Sequence, residues 1–366
     1  MKKNNKIYII ILILLIIVTT IYIYLYKTNT LKEIELRNMG YSKESISTFL
    51  NDTENINKYS KLLEEIIKKD LYNSKYLNDY LDIDYRENKD YIININSLLD
   101  KGYTGKEINQ IYNNYSDNDI KYIINTNYDE NIFKIYKINY YKKDYLERYL
   151  TYLHNNNELD IDKAITYVNI NLDYEFYTHT KEVDNPNDLL VLVNKYNYLN
   201  KDFVPENLEE IPLKYSVKNQ KLRKDAKEAF IKMLEDAKKE DIVLYAGSGY
   251  RSYDYQNNLY NNYVLKDGPL AETYSAKAGF SEHQTALAVD ILNKDYTYIK
   301  IDSMEYSWLI SNCYKYGFIL RYPENKEHIT GYINEPWHYR YIGVIAEEIM
   351  TKNLTYEEYL ALKKDL

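Results

Sequence analysis

Residues 281–290 read SEHQTALAVD, and this segment constrains the second half of the chain most strongly. From residue 287 to 291, large apolar side chains alternate with Ala288 and Asp290, which is the pattern of a half-buried β-strand. Asp290 lies inside the apolar run, where an unpaired carboxylate is costly and favours a cation or metal ion as its partner. His283 precedes it by seven residues, so one straight strand would direct the two side chains to opposite faces. We therefore expect His283 on a bend or turn that leads into the strand.

A second polar cluster, EPWH, occupies residues 335–338. With the first segment it supplies two imidazoles and one carboxylate, from His283, His338 and Asp290. A catalytic zinc takes three protein ligands of these types and keeps one position for water. Glu335 is then free to act as general base on the zinc-bound water, whose pKa zinc can lower to about 7.

A third polar cluster, SGYRS, occupies residues 248–252 and is followed one helical turn later by Gln256. Taken alone, this pattern indicates a turn followed by a helix start, with Arg251 on the surface. Beside a metal centre, Arg251 is instead a fixed cation for a substrate carboxylate or a developing oxyanion. The residues alone leave both interpretations open.

The elements expected around these clusters mix helices and strands without regular alternation. Helices are expected over residues 218–239, 253–264 and 305–316, with a short final helix after a cap formed by Thr355 and Glu358. Strands are expected over residues 242–245, 287–291, 318–322 and 337–342. This order favours an α+β fold with an antiparallel sheet.

The region before residue 186 differs in composition from the rest of the chain, because residues 30–180 contain no proline and only three glycines. Residues 40–46, GYSKESI, resemble residues 102–108, GYTGKEI, at an offset of 62. In each copy the glycine suits the position after one helix, and the Ser or Thr caps the next helix. We expect short helical hairpins that act as a spacer or, alternatively, as a wall-binding or partner-binding module.

The N-terminus contains twenty uncharged residues, 7–26, after Lys2, Lys3 and Lys6. A helix of this length spans a bilayer core of about 30 Å. The basic flank favours a cytoplasmic N-terminus, which places the chain after Lys27 outside the cell. We expect a single-pass membrane anchor, with a cleaved signal peptide as the alternative, although the apolar stretch is long for one and no small-residue cleavage site follows it.

Composition narrows the class of protein further. The chain has 366 residues, and we expect an anchor at 1–28, a helical, weakly repetitive region at 29–184 and a catalytic domain at 185–366. The net charge of −8 argues against a nucleic-acid partner. A single cysteine, Cys313, excludes an intrachain disulfide and any cysteine-based zinc site. Independence from oxidative folding fits a Gram-positive type envelope.

The three clusters, in this order, resemble the zinc D-Ala-D-Ala carboxypeptidases of the VanY type, in the fold group shared with lysostaphin and hedgehog domains. That family carries S-G-Y-R-S with a following Gln, then S-x-H-x-x-G-x-A-x-D, then E-P-W-H. The resemblance covers roughly residues 189–350 and implies a hedgehog/D-Ala-D-Ala-peptidase-like α+β domain with one zinc per chain. It implies that the metal ligands are His283, Asp290 and His338. It also implies that Glu335 and Arg251 are catalytic residues and that Gln256 and Ser281 contact the substrate.

One residue departs from the family pattern, since Ala286 stands where the family has glycine. If that position requires a positive φ, alanine costs about 1 kcal/mol or more, or shifts the backbone near the metal. The three ligands and the base are nevertheless all present.

The function expected from this resemblance is that of a membrane-anchored, zinc-dependent D,D-carboxypeptidase. It would remove the C-terminal D-Ala from peptidoglycan stem peptides, with the attacking water activated by Glu335. Two enzymatic alternatives are an L,D-carboxypeptidase and a peptidoglycan endopeptidase. An alternative of another class is a catalytically silent cell-wall binding protein.

Overall fold

The structure, a computed structural model, describes residues 2–51 and 56–363. The chain divides into two units, one of Met1–Lys137 with Lys143–Glu147 and the other of Ile138–Lys142 with Arg148–Leu366. The described part of the first unit is helical, whereas the second unit combines helices with β-strands. All of the residues expected to carry chemistry belong to the second unit.

The α-helices and the strands form two sets, each numbered in chain order. The α-helices are α1 (Lys2–Met39), α2 (Lys43–Leu50), α3 (Lys61–Lys68), α4 (Leu77–Asp82), α5 (Lys89–Asp100), α6 (Gly105–Asn114), α7 (Asp117–Asn125), α8 (Ile132–Ile135), α9 (Leu146–Asn155), α10 (Ile161–Asn169), α11 (Lys224–Lys239), α12 (Tyr253–Asp267), α13 (Met304–Asn312), α14 (Glu327–Thr330), α15 (Ala346–Thr351) and α16 (Tyr356–Ala361). The strands are β1 (Lys181–Glu182), β2 (Asn197–Tyr198), β3 (Leu208–Glu210), β4 (Lys221–Arg223), β5 (Leu244–Ser248), β6 (Ala288–Asn293), β7 (Phe318–Leu320) and β8 (His338–Tyr341).

Helix α1 carries the apolar N-terminal segment into the first unit without interruption. An 18-residue window of this helix has a mean hydropathy of 2.8 and no buried residue, and the helix is long and apolar enough to cross a membrane. Near its C-terminal end, Leu36 is buried in the core. The apolar segment and the first core residue of the helical region therefore lie on one continuous helix.

Helical hairpins recur along the chain after α1, as expected, and their period is shorter than the offset of 62 suggests. The first helices of successive hairpins, α3, α5, α7 and α9, begin 28, 28 and 29 residues apart, and the second helices, α4, α6, α8 and α10, begin 28, 27 and 29 residues apart. Hydrogen bonds join neighbouring hairpins at the same spacing: Asp79 Oδ1 accepts from Gly105 N at 2.7 Å, and Asp119 Oδ1 accepts from Leu146 N at 3.2 Å. Such an array buries its apolar faces by stacking each hairpin on the next.

The turns that follow α1, α3 and α5 each contain a residue in the left-handed region. Gly40 and Gly102 adopt φ of 106° and 101°, and Asp70 adopts φ of 57° in the intervening hairpin. The expected caps are confirmed, because the side chain of Ser42 accepts from the Ser45 N–H and Thr104 forms a capping box. The similarity at an offset of 62 therefore spans two hairpins.

The second unit is organised around a four-stranded antiparallel sheet of order β5-β6-β8-β7. Helix α11 packs its apolar stripe on this sheet, so that Phe230 and Met233 share a core cluster with Val289 and Ile291 of β6. Cys313 and Trp308 belong to the same buried cluster. The expected α+β fold with an antiparallel sheet is confirmed.

Boundaries differ from the expected ones at several elements, among them the helix expected at residues 218–239 and the strand expected at residues 242–245. Residues 218–223 are not helical: Lys221–Arg223 form β4, which pairs with β3, and α11 begins at Lys224. Leu222 is buried from a strand, and a single apolar residue at this spacing suits either element. Strand β5 reaches Ser248 rather than ending at residue 245, which brings the SGYRS cluster to the end of an edge strand that pairs with β6.

Candidate active site

The register of the sheet brings the three polar clusters together. Asp290 on β6 is paired with His338 on β8 on one side and with Ser248 on β5 on the other. His283 lies on the 3-10 turn Glu282–Thr285, immediately before β6. The bend expected at His283 is therefore confirmed, and it is this bend that turns the imidazole toward the carboxylate of the strand.

Ala286 ends this turn in the left-handed region, with φ of 54° and ψ of 24°. Its side chain is completely buried. The position where the family has glycine thus requires a positive φ, and a side chain at Cβ makes that conformation about 1–2 kcal/mol less favourable. The chain holds its metal-site turn in this conformation in spite of the alanine.

We expect Ala286→Gly to stabilise the second unit by about 1 kcal/mol, since relief of the left-handed strain exceeds the added entropy of the unfolded chain, about 0.4–1 kcal/mol. A gain of this size raises the Tm by about 2–4 °C in a unit of this length. Both tryptophans, Trp308 and Trp337, lie in the second unit, so thermal unfolding of the full chain in detergent can be followed by tryptophan fluorescence. The matched control is Ala288→Gly on β6, which is equally buried and should lower the Tm. A lower Tm for both variants would contradict the conclusion that Ala286 is held in a strained conformation.

Three buried side chains expected to bind metal lie close together beside the sheet. One candidate ligand atom from each of His283, Asp290 and His338 lies within 4.8 Å of the other two. Asp290 Oδ1 is 3.4 Å from His283 Nε2 and 3.1 Å from His338 Nδ1. His283 Nδ1 is hydrogen-bonded to the Gly249 carbonyl at 2.7 Å, which makes Nδ1 the protonated nitrogen and leaves the Nε2 lone pair facing the carboxylate.

The electrostatics of these three groups suit a metal ion. Burial, with the nearby Arg251 cation, lowers the pKa of His283 to about 4, so its imidazole is neutral. Burial alone would raise the pKa of Asp290, but the neighbouring His283, the Arg251 cation and the hydrogen bond from His338 hold it well below its usual value. Burial likewise opposes protonation of His338, yet the carboxylates of Asp290 and Glu282 raise its pKa to about 9. The proton that Asp290 favours on Nδ1 is the one that a metal ion would displace.

Glu335 lies beside this cluster on the turn that begins β8. Its Oε2 is 3.6 Å from His338 Nδ1, and its carbonyl accepts from the His338 N–H at 3.1 Å. Burial is the main cause that raises the pKa of Glu335 to about 7, and the charge of Asp290 adds to it. A carboxyl group with a pKa near neutrality can both take up and return a proton.

Arg251 is held against the metal-site carboxylate by three partners. Its Nη2 donates to Asp290 Oδ2 at 2.6 Å, its Nε to Ser248 Oγ at 3.0 Å and its Nη1 to Gln256 Oε1 at 3.3 Å. Gln256 in turn donates to the Ala276 carbonyl at 2.8 Å. Arg251 is therefore a fixed group of the site rather than a free surface residue, and the buried Gln256 helps to orient it.

The structure assembles all seven of the expected site residues in one region of the second unit, with Ser281 buried at the start of the turn that carries His283. It also reveals buried charged residues that the sequence reasoning did not assign, namely Glu282, Arg321, Arg340 and Glu357. Arg321 could have been found, because it directly follows the apolar strand β7, the same signal that singled out Asp290.

The donor set fits zinc. Two imidazoles with defined lone pairs and one carboxylate are the ligands of catalytic zinc sites that leave a position open. Both imidazoles have their second nitrogen directed at a carbonyl or a carboxylate, which is the usual arrangement of metal-binding histidines.

Comparison with known proteins relates the same part of the chain to peptidases. A family model described as "VanY: D-alanyl-D-alanine carboxypeptidase" matches residues 219–344. The carboxypeptidase-like protein YodJ of Bacillus subtilis (strain 168) is 40% identical over 211 residues, which cover 53% of this chain and 77% of that protein. A D-alanyl-D-alanine carboxypeptidase of Enterococcus faecium is 37% identical over 147 residues, which cover 39% of this chain and 45% of that protein. The bifunctional D-Ala-D-Ala dipeptidase and carboxypeptidase VanXYC of Enterococcus gallinarum is 36% identical over 180 residues, 46% of this chain and 92% of that protein.

Solved structures are similar over the same region. The LD-carboxypeptidase LdcB is 39% identical with a TM-score of 0.47, over 50% of this chain and 90% of that chain. The vancomycin-resistance D,D-pentapeptidase VanY, solved in complex with Zn(II), is 33% identical with a TM-score of 0.42, over 47% of this chain and 98% of that chain.

Proposed function

Because the chain belongs to the VanY family of D-alanyl-D-alanine carboxypeptidases, we propose that it is a membrane-anchored, zinc-dependent D,D-carboxypeptidase that removes the C-terminal D-Ala from peptidoglycan stem peptides. Membership of this family makes it a peptidase-type hydrolase. The observation that carries the proposal is the convergence of His283, Asp290 and His338 beside the buried Glu335. Relatives from two Enterococcus species are D-alanyl-D-alanine carboxypeptidases, which supports the D,D-specific form.

One zinc ion per chain would be held by His283 Nε2, by Asp290 and by His338 Nδ1. When bound, zinc supplies Lewis-acid polarisation of the scissile carbonyl and of the attacking water. The carboxylate of Asp290 balances part of the metal charge, and Arg251 fixes the position of that carboxylate through its second oxygen.

Glu335 moves the proton. As the water oxygen bonds to the scissile carbonyl carbon, Glu335 takes up the proton that the water loses. When the carbon–nitrogen bond breaks, Glu335 returns this proton to the leaving D-Ala amine, so that the carboxyl group ends each turnover as it began. The raised pKa of Glu335, about 7, matches both the uptake and the return.

Arg251 binds the substrate carbonyl oxygen or the terminal carboxylate. A guanidinium held by Ser248, Gln256 and Asp290 is preorganised, so it stabilises negative charge without rearranging during the reaction. Gln256 and Ser281 are the further residues that we propose to contact the terminal D-Ala.

Membrane anchoring is supported by α1, whose apolar part is fully exposed and follows three lysines. In a bilayer this charge distribution favours a cytoplasmic N-terminus, which places the chain after Lys27 on the extracytoplasmic side of the cell membrane, where peptidoglycan is found. Hydrolytic activity should accordingly sediment with membranes.

The full chain in detergent, assayed on defined stem peptides with and without a chelator, tests the proposed function. We expect release of free D-Ala from a pentapeptide ending in D-Ala-D-Ala, none from the matching tetrapeptide, and loss of release with the chelator. Release from the tetrapeptide alone would replace the proposal by an L,D-carboxypeptidase. Cleavage of cross-linked dimers without free alanine would indicate an endopeptidase, and a protein without stoichiometric zinc or hydrolysis would indicate a silent wall-binding protein.

A further inference from the structure

A buried group of four charged side chains lies next to His338, on the side of its Nε2 atom. Glu282 is at its centre, and one of its carboxylate oxygens, Oε1, accepts from Arg321 Nε at 2.9 Å and from Arg340 Nη1 at 3.2 Å. Arg321 also forms a two-pronged pair with Glu357 of α16, at 2.9 and 2.6 Å. Arg340 donates in addition to the carbonyls of residues 189 and 191. Two arginines and two glutamates balance in charge, as fully buried ions must.

The second oxygen of Glu282 is not part of this pairing. Within the described part of the chain, Glu282 Oε2 is a buried acceptor without a hydrogen-bond partner, and His338 Nε2 is a buried nitrogen without one. These two atoms face each other at 3.6 Å. A small shortening of this distance would make a charge-assisted hydrogen bond and would satisfy both groups, whose isolation is otherwise costly.

The direction of this contact decides which nitrogen of His338 is available to a metal. A neutral imidazole carries its proton on one nitrogen and its lone pair on the other. With the proton on Nε2, facing Glu282, the lone pair is on Nδ1, which lies 3.1 Å from Asp290 Oδ1. With the proton on Nδ1, the lone pair would be on Nε2, which faces Glu282 rather than the proposed ligand Asp290, and could not serve the metal.

We propose that Glu282 is a positioning residue that accepts the Nε2 proton of His338 and thereby directs the Nδ1 lone pair of His338 to the metal. The inference rests on the proposed metal site. Arg321 and Arg340 keep the Glu282 carboxylate ionised and hold it in place through Oε1, and Oε2 is left for the histidine. Carboxylates in this role typically contribute 10-fold to 100-fold to metal affinity.

The isosteric variant Glu282→Gln, in the full chain in detergent, tests this role. We expect its zinc Kd, measured by competition with a chromophoric chelator, to be 10-fold to 100-fold weaker than that of the wild type. The matched control is Glu357→Gln, which removes a charge from the same arginine but on the side away from the metal. We expect it to lower the Tm of the second unit and to leave the zinc Kd within about threefold.

A purely structural role for Glu282 would give the opposite pattern. Both variants would then lower the Tm and neither would change the zinc Kd, and this result would overturn the inference. It would also be overturned if Glu357→Gln weakened zinc binding as much as Glu282→Gln. A wild-type protein that binds no zinc would instead contradict the proposed function itself.

A measurement on the unaltered protein covers the case in which Glu282→Gln does not fold. The chain has five histidines, so 15N-labelled histidine in the zinc-loaded wild type gives a small set of ring signals. We expect the His338 signals to show a protonated Nε2 and a metal-bound Nδ1. A metal-bound Nε2 would overturn the inference.

Discussion

Glu335→Gln should lower the rate of D-Ala release by about 10²-fold to 10⁴-fold and leave the zinc content of the protein unchanged. The amide keeps the size of the carboxyl group but can neither take up the proton of the attacking water nor return it to the leaving amine. Glu335 is not among the three converging ligand residues, so metal binding does not depend on it. The measurement combines kcat on a pentapeptide with metal analysis of the same sample.

Glu324→Gln is the matched control, because Glu324 is exposed and close in sequence. It should retain wild-type kcat and zinc. A Glu335→Gln enzyme that hydrolyses the pentapeptide at the wild-type rate would remove Glu335 from the mechanism, even if the metal site were correct.

Loss of the metal should abolish the activity altogether. His283→Ala removes one of the two buried imidazoles that we propose as zinc ligands, so we expect the protein to lose stoichiometric zinc and to show no D-Ala release above the uncatalysed background. Treatment of the wild type with a chelator should give the same loss, and added Zn²⁺ should restore the rate only in the wild type.

His328→Ala provides the comparison for this variant, since His328 is exposed and hydrogen-bonded to Tyr167 rather than to the site. It should keep both zinc and activity. Full activity of the wild type after verified removal of the metal would rule out a metallopeptidase.

The parts of the site that are determined by residues close together in the sequence could be predicted from the sequence. A charged residue in an apolar run identified Asp290, and the seven-residue spacing required the bend that the 3-10 turn provides at His283. The pairing of Asp290 with His338 could not be derived in this way, because strand register joins residues 48 positions apart. There the ordered motifs of a known family supplied what the pattern lacked.

Buried charge pairs were the least predictable feature. Glu282, Arg321 and Glu357 belong to a turn, the end of a strand and a C-terminal helix, and nothing in their spacing indicates that they meet. Glu282 and Glu357, taken alone, are typical of a solvated surface, and only Arg321 follows an apolar strand. Only the tertiary structure shows that their charges cancel in the interior.

The period of the hairpins was obscured for a physical reason. Glycine marks the helix ends at residues 40 and 102, but in the hairpin between them Asp70 adopts the left-handed conformation. Aspartate and asparagine tolerate this conformation because their short side chains can hydrogen-bond locally. A search for repeated glycines therefore finds the turns after α1 and α5 and misses the turn after α3.

The unbroken helix α1 has a mechanical consequence. If residues 7–26 cross a bilayer, residues 27–39 of the same helix extend about 20 Å beyond it. Leu36, near the end of this segment, is buried in the core of the helical region. A flexible linker would allow the attached residues to take many distances and orientations relative to the membrane. A continuous helix instead fixes the distance and couples the orientation to the tilt of the helix. In the anchored arrangement that we propose, the rest of the first unit would therefore stay at a fixed distance from the membrane surface.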